Sequence, residues 1–203
     1  PLRRQRQMCI RDRLKAVLGN VAEDPSTEEH LLRGTLAHAF FEAVGRGMDA
    51  EKAKLLVMEA FERIQDVPQW QLRFKLDEFS TLLDRAREWA RQSEVNQELA
   101  GVEIPVGVHV GGGVRIGGYM DRLLRDEEGN YLVVDLKTGR STPAKKEGED
   151  HVQLMTYQLA LAHGAFDGHQ VHDGEGMPRK GGVLVYPGVT TKKTVSYTHL
   201  RAH

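Results

Sequence analysis

Of 203 residues only one is a cysteine, Cys9. No disulfide, four-cysteine zinc site or iron–sulfur cluster can therefore be built within the chain. No apolar run approaches the roughly 18 residues of a membrane helix, and the Arg-rich start lacks the apolar core of a signal peptide. No membrane association and a cytoplasmic location are expected. Charge of one sign is missing too: 28 Lys and Arg against 29 Asp and Glu leave a net charge of −1. Any nucleic-acid binding must rest on a local patch. The phosphate-cradling pattern G-x-x-x-x-G-K-[ST] does not occur, so the chain carries no P-loop motor of its own.

What is present is 40% hydrophobic side chains and 21 glycines. That composition belongs to soluble globular proteins, and one compact domain is the default expectation. The first fifteen residues, PLRRQRQMCIRDRLK, and the tail VSYTHLRAH show no sustained apolar period. The strings MCIRDR and SYTHLRAH resemble translated sequencing-adapter read-through. Residues 1–25 are set aside as a poorly ordered or foreign leader and 189–203 as a doubtful tail.

From Ser26 the pattern turns helical. Ser26-x-x-Glu29 fits a capping box, and Leu32, Leu36, Ala39, Phe40 and Ala43 recur at three- and four-residue steps, predicting a helix over about 27–44. A second helix is expected over about 49–65, with Leu55, Leu56, Met58 and Ile64 as its apolar positions and Pro68 closing it. A third is expected over about 70–98, with Phe74, Phe79, Leu82, Leu83, Ala86, Trp89 and Ala90 as its stripe. At Gly101 the period drops to 2, and 102–110, 113–124 and 131–137 read as an antiparallel meander. A charged loop, a helix over about 149–163, a Gly-rich loop over 164–182 and the strand Val183–Tyr186 complete the order.

The second and third strands embed acids in apolar surroundings. If Glu127-Glu128-Gly129 is a three-residue hairpin loop with Gly129 left-handed, Asp126 faces Asn130 and paired numbers sum to 256. Asp121 and Asp135 then lie opposite one another on one face, with Cβ atoms roughly 5 Å apart. Lys137 shares that face because strand side chains alternate. A solvent-exposed Lys–Asp network is one reading. The other is a half-buried site for a hard divalent cation, with the lysine orienting a water or stabilising charge on a phosphate.

Single residues elsewhere are read both ways. His38 on the first helix is a structural histidine or a ligand. Gln153 and Tyr157, four apart on one helical face, form a buried polar pair or part of a site. His169, His172, Asp173 and Glu175 sit in Gly-rich surroundings and are read as loop. Arg140, Lys145 and Lys146 are phosphate contacts or a solvated charge run.

Taken together, RGTLAHAFFE at 33–42, GYMDRLL at 118–124, VVDLKTG at 133–139 and HVQLMTYQLAL at 151–161 resemble the RecB-like branch of the PD-(D/E)XK nucleases. Within that branch they are most similar to the C-terminal nuclease domains of AddAB- and AdnAB-type bacterial helicase-nucleases. The resemblance covers 27–188. It implies an α/β (α+β) fold with a restriction-endonuclease-like αβββαβ core and additional N-terminal helices. It also implies a metal site of His38, Asp121 and Asp135 for Mg²⁺ or Mn²⁺, with Asp121, Asp135, Lys137, Gln153 and Tyr157 as catalytic residues. The branch with an iron–sulfur cluster is excluded by the cysteine count.

The resulting expectation is a metal-dependent DNA nuclease that hydrolyses phosphodiesters. It would be the nuclease domain of a helicase-nuclease or a RecB-family exonuclease of DNA repair and recombination, with a helicase motor as partner. The rivals are a non-catalytic DNA-binding scaffold that keeps the fold, and a nuclease acting alone on RNA or short single strands.

Overall fold

Proline fixes the backbone angle a helix needs and lacks the N–H that a first turn cannot bond, and Pro25 opens the first helix, α1 (Pro25–Gly45). Ser26 therefore lies inside the helix rather than capping it. The structure, a computed structural model, describes residues 25–109, 115–139, 151–163, 179–189 and 195–199. The side chains of 25–28, 108, 179 and 195–199 lie outside that description. So do Cys9, the His169–Glu175 cluster and the basic residues Arg140, Lys145 and Lys146.

The chain falls into two compact units that divide after Leu83. In the first, α1 ends in a Schellman closure. Gly47 adopts φ 86°, Met48 N–H donates to the Ala43 carbonyl at 2.9 Å, and Gly47 N–H donates to the Val44 carbonyl at 3.0 Å. Helix α2 (Ala50–Arg63) follows, with the Asp49 side chain accepting from Lys52 N–H at 2.9 Å as its N-cap. Its buried positions are Ala53, Val57, Ala60 and Phe61, whereas Leu55 is 71% exposed. The expected apolar face is thus displaced: two alanines let the helix approach its neighbours closely, and Phe61 stacks on Phe79 with ring centroids 4.4 Å apart.

Helix α3 (Gln69–Ser93) carries the chain from the first unit into the second. Phe79, Leu82, Leu83, Ala86 and Ala90 are buried as the stripe requires, but Phe74 is exposed. The helix stops at Ser93 rather than running to 98. Glu94 N–H still reaches the Ala90 carbonyl, and β-branched Val95 and then Asn96, both weak helix formers, lead into a strand.

The second unit is a five-stranded sheet in the order β1-β2-β3-β4-β5, with β1 (Glu98–His109), β2 (Arg115–Arg125), β3 (Tyr131–Leu136), β4 (Arg179–Tyr186) and β5 (Val195–His199). The first three form the antiparallel meander. The β2–β3 pairs run from Arg122↔Val134 to Arg125↔Tyr131 in the register that the hairpin arithmetic demands. Gly129 closes the hairpin at φ 85°, and the Asp126 carboxylate accepts Asn130 N–H at 2.8 Å.

Strand β4 runs parallel to β3, which requires a crossover, and helix α4 (Val152–Ala162) lies in that crossover. Two expectations are corrected here. The strand starts at Arg179, inside the stretch read as loop, and the backbone of Val195–His199 in the tail pairs antiparallel with it as β5.

Strand β3 is covered on both faces, as a central strand must be, with Leu132 to Leu136 all buried. Val133 joins Leu123, Met120, Leu154, Tyr157 and Leu184 in the core beneath α4. That helix sits tight on the sheet at Gly182, where an added Cβ would stand 3.0 Å from a Leu154 methyl carbon. The absence of a side chain at Gly182 thus sets the height of α4, and with it the reach of Gln153 and Tyr157.

Candidate active site and metal centre

Three elements of the second unit converge at the end of the β2–β3 ladder. Asp135, on β3, is 1% exposed, and its Oδ2 lies 2.8 Å from Lys137 Nζ. The ammonium also donates to Gln153 Oε1 at 2.7 Å. Gln153 Nε2 donates to the Tyr157 hydroxyl at 3.3 Å, and that hydroxyl donates to the Tyr119 carbonyl at 2.6 Å. A continuous chain of hydrogen bonds therefore runs from β3 across α4 to β2, and it fixes the Lys137 head group from two sides.

Asp121 is held differently. Its Oδ2 accepts the backbone N–H of Leu136 at 2.8 Å, continuing with a side chain the ladder that the backbone pairs begin. The lysine thus neutralises Asp135, while Asp121 is anchored by an amide.

A third acid was not anticipated from sequence. The β1–β2 register passes from Val102↔Arg122 to Ile104↔Met120, which sets Glu103 beside Asp121. Glu103 adopts φ 47°, among the described residues the one non-glycine with positive φ. One of its carboxylate oxygens lies within 4.8 Å of one of Asp121. A backbone held in this costly region brings like charges together, the strain expected where a structure serves a site rather than its own stability.

The electrostatics agree. Burial pushes the Tyr157 phenol up, and the charges of Asp135, Asp121 and Glu103 push it in the same direction. It therefore remains a hydrogen-bond donor through neutral pH. Burial, and then the positive charge of Lys137, hold the His151 imidazole below its ordinary value of 6.5. His151 precedes α4, and its buried Nδ1 has no hydrogen-bond partner among the described residues.

Asp121, Asp135, Lys137, Gln153 and Tyr157 are thus gathered in one unit. His38 stands partly buried on α1 in the first unit. The donor set offered by Glu103 and Asp121 is oxygen only, which fits a hard divalent cation such as Mg²⁺.

The PD-(D/E)XK nuclease superfamily model matches residues 9–198. The chain belongs to the PD-(D/E)XK nuclease superfamily. The matched span includes all four motifs and reaches into both terminal segments set aside above. As a nuclease of this superfamily the protein is a hydrolase, and its mixed α/β sheet is consistent with the restriction-endonuclease-like fold. No curated protein matches the sequence. A solved structure described as the crystal structure of SSO0001 is similar at 16% identity over 97% of this chain and 78% of that one, with a TM-score of 0.30. Among the described residues no helix of this nuclease is long and apolar enough to cross a membrane.

Proposed function

We propose that this nuclease is a Mg²⁺- or Mn²⁺-dependent deoxyribonuclease of the RecB-like kind, acting as an exonuclease alongside a helicase motor in cytoplasmic DNA repair and recombination. The observation that carries the reading is the Lys137 ammonium held between Asp135 and Gln153, together with Glu103 and Asp121, which offer carboxylate oxygens within 4.8 Å of one another.

Asp121, Asp135 and Glu103 would hold the ion, with His38 as a further ligand on the strength of the motif resemblance. When bound, the metal supplies Lewis acidity toward a phosphate oxygen and lowers the pKa of a coordinated water. In the hydrolysis, a water oxygen bonds to phosphorus as the bond to the leaving sugar oxygen breaks, and the water's proton is lost as the leaving oxygen gains one.

The chain's own contribution is placement of charge. Asp135 and Gln153 orient Lys137 so that its positive charge meets the negative charge that develops on the phosphate. Tyr157 holds Gln153 in turn and ties α4 to the Tyr119 carbonyl, so the lysine is aimed before substrate arrives. The softer imidazole of His38 leaves room for Mn²⁺.

The test is degradation of linear and closed-circular DNA by the purified chain, with Mg²⁺, with Mn²⁺ and with EDTA. Metal-dependent loss of linear DNA alone supports the exonuclease. Nicking or linearisation of circles would replace it with an endonuclease, and no cleavage of either would overturn the reading.

A further inference from the structure

The β1–β2 ribbon continues beyond the carboxylates as an outward-facing track. Pro105 pairs with Tyr119, Gly107 with Gly117 and His109 with Arg115, and all six residues are exposed. Alternation sets them on the face opposite Ile104, Val106 and Met120, which pack beneath α4. Tyr119 leaves 60% of its surface in solvent. The Arg115 guanidinium lies across the two glycines: an added Cβ on either would stand 3.3 Å from one of its terminal nitrogens. Among the described residues no hydrogen bond or ion pair engages that guanidinium.

An aromatic ring and an unneutralised cation thus follow one another along the strand that carries Asp121. At roughly 3.3 Å per residue, Tyr119 stands about 7 Å and Arg115 about 20 Å from Asp121 along β2. A ring of this size left in water offers a stacking platform, and stacking needs a base whose face is free, as in a single strand. The guanidinium supplies the complementary charge for a phosphate.

We propose that this face of the β1–β2 ribbon binds the DNA substrate as a single strand, with a base stacked on Tyr119 and a phosphate on Arg115, and so delivers the strand to the carboxylates. The proposal rests on the nuclease reading and deepens it by naming the form of substrate. The two glycines leave the space in which the Arg115 guanidinium lies flat along the ribbon.

The test separates binding from hydrolysis. Affinity of the full chain for a fluorescein-labelled oligothymidylate and for a blunt duplex is measured in EDTA across a salt series, and cleavage is followed separately with Mg²⁺. Tyr119→Ala weakens oligothymidylate binding about tenfold, Tyr119→Phe binds as wild type, and duplex binding changes little. Arg115→Ala lowers the salt slope for the single strand by about 0.7, the loss of one phosphate contact. Melting temperatures of these exposed-residue variants match wild type.

Unchanged single-strand binding by Tyr119→Ala overturns the proposal while leaving the nuclease reading intact if cleavage persists. An equal loss on the duplex overturns the single-strand assignment. Weaker binding by the variants of a wild-type chain that never cleaves would sustain the track and sink the nuclease reading instead.

Discussion

The Lys137 ammonium, just past the end of β3, bridges that strand and α4, lying 2.8 Å from the Asp135 carboxylate and donating to the Gln153 amide oxygen at 2.7 Å on the helix. One side chain therefore couples the charge of a buried acid to the position of the helix that covers it.

Lys137→Ala is expected to reduce cleavage by about 10² or more, since it removes charge aimed at the transition state. The ion pair adds a second consequence. The variant leaves the Asp135 carboxylate, 1% exposed, without its counter-charge, so the metal-free protein loses about 1–3 kcal/mol. Thermal melts with and without Mg²⁺ check this: the metal recovers more stability in the variant than in wild type. Equal melts in both would show that Lys137 does not neutralise Asp135.

Glu103→Gly should raise stability and lower activity together. Glycine adopts φ 47° without the penalty of about 1–3 kcal/mol that a non-glycine bears there, and it removes the negative charge beside Asp121. Denaturant unfolding without metal should show a gain of about 1 kcal/mol. Calorimetric titration should show weaker Mg²⁺ binding. A destabilised variant would mean that Glu103 is held by favourable contacts rather than strained in the service of the site.

Gly182→Val is expected to cost about 1–3 kcal/mol through overpacking, because its Cβ would fall 3.0–3.3 Å from three carbons of Leu154. Lifting α4 also withdraws Gln153 from Lys137, so kcat falls more than the loss of folded protein explains. Activity corrected for the folded fraction is the deciding measurement.

His151 supplies a pH dependence of known sign. Its folded pKa is lowered, chiefly by burial and then by Lys137, so the unfolded chain binds its proton more readily. Stability is then full above the unfolded value of 6.5 and falls as pH drops below it toward the lowered folded value. Comparison of wild type with His151→Gln across this range should show a smaller acid-induced loss in the variant. Parallel curves would assign the acid sensitivity to other groups.

Much of the fold was legible because short-range rules govern it. Apolar spacing and Gly punctuation located α1, the meander and α4 to within a few residues. The β2–β3 register followed from one left-handed glycine, since a hairpin loop of known length sets every pair behind it. The Asp135-x-Lys137 pair was legible from alternation alone.

What needed the tertiary structure was every property that depends on a partner distant in sequence. Leu55 and Phe74 are exposed although hydrophobic, because packing selects the face on which alanines allow closer approach. Glu103 carries no local signature. It joins the site only through the β1–β2 register, which a bulge between Leu99 and Gly101 shifts and no turn rule foretells. Sequence spacing determined which acids share a strand face. Only the assembled sheet and the helix on it decided which of them is neutralised by lysine, which accepts a hydrogen bond from a backbone amide, and which is held in strain, because those outcomes depend on three-dimensional neighbours and on the water that burial excludes.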